Sequence, residues 1–340
     1  MQSSAFSSAT NAVLFIAEIG GNHEGDFAYA QRLTELAIRS GADAVKFQIY
    51  SGDTLVSAVE SPDRNVHFKK FELPREQYSA LAERVTAAGR MFMASVWDAA
   101  MLDWIDPYIP MHKVGSGDLT CWPLIRLLVR TGKPLILSTG LSNLAEIEAT
   151  VRFIEGEDAT YLRERKLALM QCTSSYPCPD EDVHLRVMET LRSGFGLPVG
   201  FSDHSVGTLA VEAAVAMGAE IIEKHFTDTR DGKVFRDHKV SITCEEMEEL
   251  LPRLHRIVAF RGRPDKVLTQ AEHDVAHEVS FRRSVYAARD LAAGEVLDER
   301  NLTVLRPAHG IPANRFDEVV GRRARHAMVR HQVVREQDLD

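Results

Sequence analysis

Several things are scarce in this chain, and each scarcity removes a class of answer. Only four cysteines occur in 340 residues, Cys121, Cys172, Cys178 and Cys244, and none forms a C-x-x-C pair. Reduced thiols in a cytosolic setting fit this usage better than a disulfide framework. No apolar run reaches the roughly 18 residues a membrane-spanning helix needs. The opening "MQSSAFSSAT" has no basic stretch leading into an apolar one, so it does not read as a secretory signal. Residues 1–12 read instead as a disordered tail. Net positive charge is also missing. The formal charge is −9, which argues against a general nucleic-acid binder but not against a small anionic substrate held by local cations.

What is present is a repeated unit: a short apolar strand, a polar turn, then a segment of helical period. The strands read "LFIAEIG" (14–20), "DAVKFQIY" (43–50), "MFMASVW" (91–97), "HKVGSG" (112–117), "PLILSTG" (134–140), "LALMQCT" (167–173), "LPVGFSD" (197–203) and "EIIEKHF" (220–226). Near-continuous apolar runs of this length suit parallel strands buried on both faces. Between them lie amphipathic stretches such as "FAYAQRLTELAIRSGA", ending in Gly, and "NLAEIEATVRFIEG", for which Ser142 or Asn143 is the N-cap. Eight such units over about 250 residues predict an α/β fold, a (β/α)8 TIM barrel over 13–260. An open doubly wound sheet would rarely need eight regular units, and no G-x-G-x-x-G follows the first strand.

Each strand turns polar as it ends. Glu18 closes the first, Lys46 and Gln48 the second and Ser95 the third. Lys113 and Ser116 follow the fourth, Ser138 the fifth, and Thr173 and Ser174 the sixth. Ser202 and His204 end the seventh, Glu223 and His225 the eighth. These are the C-terminal strand ends, where barrel enzymes build their sites. The pairs 46/48, 202/204 and 223/225 are two residues apart and share a face. Any one of these polar groups is easily a satisfied core residue; eight coincident placements argue for an active face. His204 and His225 on neighbouring strands are either two ligands of one divalent cation or two hydrogen-bonding side chains that orient substrate. Lys46 and Lys113, with the hydroxyls of Ser116, Ser138 and Ser202, make a phosphate or carboxylate cradle. Lys46 also fits a Schiff-base aldolase. Glu18 fits a general base or a group that orders water. Asp203 and Lys224 fall on the opposite face and should point away from the mouth, Asp203 steadying its loop.

Past residue 260, "RGRPDKVLTQAEHDVAHEVSF" reads as a linker over 261–281. Residues 282–340 carry short β-like runs broken by Gly, Pro and Asn, as in a small β-rich domain. The cluster "GRRARHAMVRH" reads as a solvated charged face rather than a binding patch.

The series "AEIGGNHEGD", "GADAVKFQ", "KVGSGDL", "GKPLILSTG", "CTSSYPCP", "GFSDHSVG", "EKHFT" and "RDHKVS" resembles the sialic acid synthase (N-acetylneuraminate synthase) family. The likeness runs from about Phe15 to the end, and the tail with "VLRPAHGI" is similar to that family's antifreeze-like (SAF) domain. The resemblance implies condensation of phosphoenolpyruvate with an N-acylated hexosamine aldehyde, with C–O cleavage and a Mn²⁺ or Mg²⁺ ion on His204 and His225. It implies that Lys46, Lys113, Ser116, Ser138 and Ser202 hold phosphoenolpyruvate, with Glu18 at the reacting centre. Gln48, Tyr176 and Asp237 then face the sugar, with Ser95 and Ser174 beside it, and Arg306 enters the partner's barrel in a domain-swapped homodimer. The chain departs from the family at "ASVW" (94–97), where many members read "STPF". It departs again at "KVFR" before Asp237, at Ser174, and at Ala308 and His309. Those departures fall where the sugar would lie. They leave open N-acetylmannosamine and the precursors of legionaminic, pseudaminic or spore-coat sugars. A Schiff-base aldolase and a non-catalytic sugar-binding protein are the alternatives.

Overall fold

The computed structural model describes residues 5–8 and 12–340. Eight parallel strands run β1 (Leu14–Gly20), β2 (Ala44–Ile49), β3 (Met91–Val96), β4 (His112–Val114), β5 (Leu135–Ser138), β6 (Leu167–Cys172), β7 (Val199–Asp203) and β8 (Ile221–His225). Their order is β3-β2-β1-β8-β7-β6-β5-β4, a nearly closed barrel of the TIM type in which β1 joins β2 to β8. The fourth strand is shorter than its sequence suggests. It stops at Val114, and Ser116–Asp118 forms a 3-10 turn that brings the Ser116 hydroxyl to the backbone N–H of Gly140.

Alternation along the strands sorts the side chains into two environments. Phe15, Ala17, Ile19, Val45, Phe47 and Leu137 pack outward against the helices. Leu14, Ile16, Ala44, Met93, Ile136, Ala168, Met170 and Ile221 fill the lower interior. Two residues further along each strand the interior becomes polar. The barrel is therefore an apolar plug topped by a layer of charges and hydroxyls.

Helix Phe27–Arg39 illustrates how the outer layer forms. Asp26 accepts the Tyr29 N–H as an N-cap, and Ala30, Leu33, Thr34 and Ala37 make the buried stripe. Of the two N-cap candidates for Leu144–Glu157, Asn143 takes the role in a reciprocal capping box with Glu146.

Of the tail read as disordered, residues 1–4 and 9–11 lie outside the described residues. Phe6 departs from that reading. It is buried with Leu14, Met93, Met111, Ile136 and Ile221 at the N-terminal end of the barrel interior, where an aromatic ring finds apolar surface to cover.

The chain divides into two units, the first ending at Gly262 and the second running Arg263–Asp340. The second unit opens with short helices at Gln270–Asp274 and His277–Ser280. It then pairs β9 (Ser284–Ala287) antiparallel with β10 (Leu302–Leu305) over its own core of Val285, Leu291, Leu297, Ile311, Val319 and Val334. Within it the arginine cluster is largely matched by local acids: Arg322 pairs with Glu336, Arg325 with Asp340 and His326 with Asp338. All four cysteines are free. No helix among the described residues is long and apolar enough to cross a membrane.

Candidate active site

The polar layer forms the floor of a cavity of about 880 Å³. Of the barrel residues singled out above, Glu18, Lys46, Gln48, Ser95, Lys113, Ser116, Ser138, Ser174, Tyr176, Ser202, Glu223, His204, His225 and Asp237 line it, whereas Thr173 does not. Arg306 belongs to the second unit, where its guanidinium lies 5.4 Å from the Phe281 ring centroid.

Strand register explains the convergence. Glu18 lies opposite Lys46 on one side and His225 on the other, and Ser202 lies opposite Glu223. Lys46 Nζ sits 2.7 Å from Glu18 Oε2, 3.6 Å from Glu223 Oε2 and 3.4 Å from Ser95 Oγ. Lys113 Nζ is 3.3 Å from Glu223 Oε1, which also accepts the Ser202 hydroxyl at 3.0 Å. Gln48 donates to Glu18 Oε1 at 2.9 Å. At Gly140 a Cβ would come within 2.7 Å of the Ser116 and Ser174 hydroxyls, so glycine leaves the room both occupy.

Burial and charge divide the two carboxylates. Burial raises the pKa of Glu18, and Lys46 only partly offsets it. Burial also opposes the charge on Glu223, but Lys113 and Lys46 together outweigh it and bring its pKa to about 2. The same acids outweigh desolvation at Lys46 and hold its pKa above the ordinary lysine value. Glu18 is thus the more basic of the two carboxylates, beside another that is held firmly ionised.

On the next side of the floor, the His204 and His225 rings lie 5.4 Å apart, and Tyr176 packs 4.1 Å from His204. His204 Nδ1 lies 2.8 Å from the Thr173 carbonyl and donates there, so in the neutral ring the lone pair is on Nε2. Burial opposes protonation of His204, but contact with Cys172 outweighs this and raises its pKa, while the same contact lowers that of Cys172. Burial and the charge of His204 keep His225 well below the usual imidazole range. His225 Nδ1 has no hydrogen-bond partner, its nearest acid being Asp237 Oδ2 at 4.0 Å. Among the described residues no group of three or more His, Cys, Asp or Glu side chains is arranged to hold a metal by itself. Two imidazoles with nitrogens to spare fit a cation whose remaining ligands are substrate or water oxygens.

The expected split of the seventh and eighth strands is also present. Asp203 accepts the Ser205 N–H and hydroxyl through Oδ1, and its Oδ2 receives Lys224 Nζ at 2.5 Å. Sequence reasoning gave Glu223 no role. Its spacing from His225 was the available signal, since both share the inward face. Cys172 and the cavity-lining rings of His67, Phe68, Phe71 and Phe235 also went unassigned.

Comparison with known proteins places the chain in a family. The NeuB family model matches residues 33–266, and the SAF domain model matches 282–340. The N,N'-diacetyllegionaminic acid synthase of Campylobacter jejuni is 33% identical over 336 residues, covering 95% of this chain and 99% of that protein. The human N-acetylneuraminate-9-phosphate synthase is 30% identical over 322 residues, covering 91% and 87%. A solved spore coat polysaccharide biosynthesis protein E from Chromobacterium violaceum superposes with a TM-score of 0.78 at 28% identity, covering 96% of this chain and 99% of that one. A barrel matched over most of its length and a tail matched as a SAF domain make the conclusion plain: this chain is a synthase-type enzyme and belongs to the NeuB family.

Proposed function

We propose that this enzyme joins phosphoenolpyruvate to an N-acylated amino-sugar aldehyde, giving a nonulosonic acid and inorganic phosphate. The observation that carries this reading is the pairing of two ammonium groups, Lys46 and Lys113, with three serine hydroxyls on the floor of a cavity that also holds two facing histidines. The names of the relatives, synthases of legionaminic and sialic acid products, support it.

Lys46 and Lys113 take the carboxylate and phosphate of phosphoenolpyruvate, with Ser116, Ser138 and Ser202 supplying hydrogen bonds. C3 of phosphoenolpyruvate forms the new bond to the aldehyde carbon, and the aldehyde oxygen takes up a proton. C2 is left as an oxocarbenium, which ionised Glu223 stabilises from beside Lys46. Water adds to C2, Glu18 accepting its proton, and the C2–O bond to phosphate breaks. His204 and His225 would hold a divalent cation, Mn²⁺ or Mg²⁺, and such an ion would supply Lewis-acid polarisation of the aldehyde. Gln48, Tyr176 and Asp237 face the sugar, with Ser95 and Ser174 beside it.

Charge supports both the cation and a second subunit. Lys46, Lys113, Arg64 and Arg236 line the cavity against Glu18, Glu24, Asp118, Glu223 and Asp237, one carboxylate more than there are fixed cations. A multiply charged anion needs additional positive charge in such a site. A divalent cation supplies part of it, and Arg306 of a partner subunit in a domain-swapped homodimer supplies more.

The test incubates the enzyme with phosphoenolpyruvate, Mn²⁺ and a panel of N-acylated hexosamines. Phosphate release that a chelator abolishes, with label from the C2 oxygen of phosphoenolpyruvate appearing in the phosphate, is expected. Borohydride trapping of pyruvate on Lys46 would overturn the reading. It is not expected, because an amine held protonated by two acids is a poor nucleophile.

A further inference from the structure

One wall of the cavity is unlike its floor. Trp97 at the end of β3 stacks on Tyr50, with centroids 5.2 Å apart and planes at 23°. Tyr50 meets Phe68 edge-on at 5.2 Å, and Phe68 meets His67 at 5.6 Å. His67 packs 4.5 Å from Phe71, and Phe71 4.8 Å from Phe235. All six rings line the cavity. They form one continuous chain of ring contacts, built from the residue after β2, the helix Pro62–Phe71, the residue after β3 and the loop after β8. Gly21 is shaped to this wall, since a Cβ there would lie 3.3 Å from both the Phe71 and the Phe235 rings. The wall begins beside the histidines, because Phe235 precedes Arg236 and Asp237, and Asp237 faces His225 at 4.0 Å. A sugar anchored by its aldehyde at His204 and His225 therefore extends along aromatic surface.

Of the two arginines at the rim, one is matched by an acid and both lie against rings. Arg236 pairs with Asp237 at 3.2 Å and lies over the Tyr176 ring, and Arg64 lies over the Phe68 ring. Glu24 and Asp118 line the same cavity. Apolar aromatic surface rewards apolar substituents and penalises a desolvated charge.

Resting on the condensation reading above, we propose that the acceptor is an uncharged amino sugar whose end remote from the aldehyde is apolar, a deoxy terminus. The aromatic wall of Tyr50, His67, Phe68, Phe71, Trp97 and Phe235 selects it over a hydroxylated or phosphorylated one.

The experiment compares N-acetylmannosamine, its 6-deoxy analogue and its 6-phosphate, by kcat/KM in the presence of phosphoenolpyruvate and by calorimetric binding in its absence. The deoxy sugar is expected to exceed the parent by about tenfold in both measurements, and the phosphate to fall at least about a hundredfold below it. In Phe68→Ala and Phe235→Ala the advantage of the deoxy sugar should shrink to about twofold or less. That loss should come through its KM, with the KM for phosphoenolpyruvate unchanged, and Phe235→Leu should restore part of it. A preference for the phosphorylated sugar, or an undiminished deoxy advantage in both alanine variants, overturns the proposal. Absence of phosphate release with every sugar defeats the condensation reading instead, and the calorimetric ranking then still decides for or against the wall.

Discussion

Two lysines in adjacent layers of the same barrel are buried to the same degree and do opposite things. Lys224 points out from β8 toward the helices, where its Nζ reaches Asp203 Oδ2 and the Ser205 carbonyl. The other oxygen of Asp203 is taken by the Ser205 N–H and hydroxyl. Every strong group in that pair has a partner. Lys46 points into the barrel between two acids, close enough to both for ion pairing but hydrogen-bonded only to Ser95. Glu18 Oε2 and Glu223 Oε2 are left buried without a hydrogen bond. A closed pair of this kind holds a fold together, whereas an open one keeps bonding capacity for a ligand.

Removing each lysine separates the two cases. Lys46→Met is expected to cut kcat/KM at least about a thousandfold, about 4 kcal/mol of transition-state stabilisation. Its stability should fall less than that of Lys224→Met, because Glu18, whose pKa burial already raises, takes up a proton and relieves the acid pair. Lys224→Met strands a buried carboxylate and should cost about 3–5 kcal/mol, lowering Tm by roughly 6–20 °C for a unit of this size. Its folded fraction should retain most of the turnover. Thermal melts together with steady-state kinetics check both. The distinction collapses if Lys46→Met proves the less stable protein or if folded Lys224→Met is inactive.

Glu223 sharpens the contrast through pH. Its folded pKa lies near 2, below the ordinary glutamate value, with Lys113 and Lys46 as the cause outweighing burial. A depressed acid contributes stability that is complete above its unfolded pKa and disappears as pH falls through the folded one. Wild type should therefore exceed Glu223→Gln in stability by on the order of 2–3 kcal/mol above about pH 4.5, the gap closing toward pH 2. Urea titrations at stepped pH measure it. A gap that is constant across that window would mean the lysines do not hold this carboxylate.

Much of the floor was legible in the sequence, because parallel strands buried on both faces write long apolar runs, and polar breaks at their ends stand out. Alternation alone placed Lys46, Ser202, His204 and His225 inward, and Asp203 and Lys224 outward. The same alternation put Glu223 inward beside His225, but its role was hidden for a physical reason. That role comes from lying across β1 from Lys46 and near Lys113, and register between strands distant in sequence leaves no local mark of which partners meet. The aromatic wall was illegible for the same reason, its rings coming from three separate connections. Phe6 was read as tail because a lone aromatic among serines has no periodicity to declare it.

The smallest effect tests the idea of open bonding capacity most directly. Ser138 ends β5 with its hydroxyl buried on the cavity floor and no hydrogen-bond partner among the described residues. A hydroxyl left in that state costs about 1–3 kcal/mol, so Ser138→Ala should leave the ligand-free protein as stable as wild type or raise its Tm by a few degrees. Ser202 serves as the control. Its hydroxyl already donates to Glu223 at 3.0 Å, so Ser202→Ala should lose stability. If the Ser138 hydroxyl is kept for phosphoenolpyruvate, its removal should raise the KM for that substrate about five- to tenfold at nearly constant kcat. Melting curves and initial-rate kinetics on the two alanine variants give opposite signs for stability on this account. A Ser138→Ala protein that melts lower than wild type with its KM unmoved would make that serine a structural residue and remove it from the cradle.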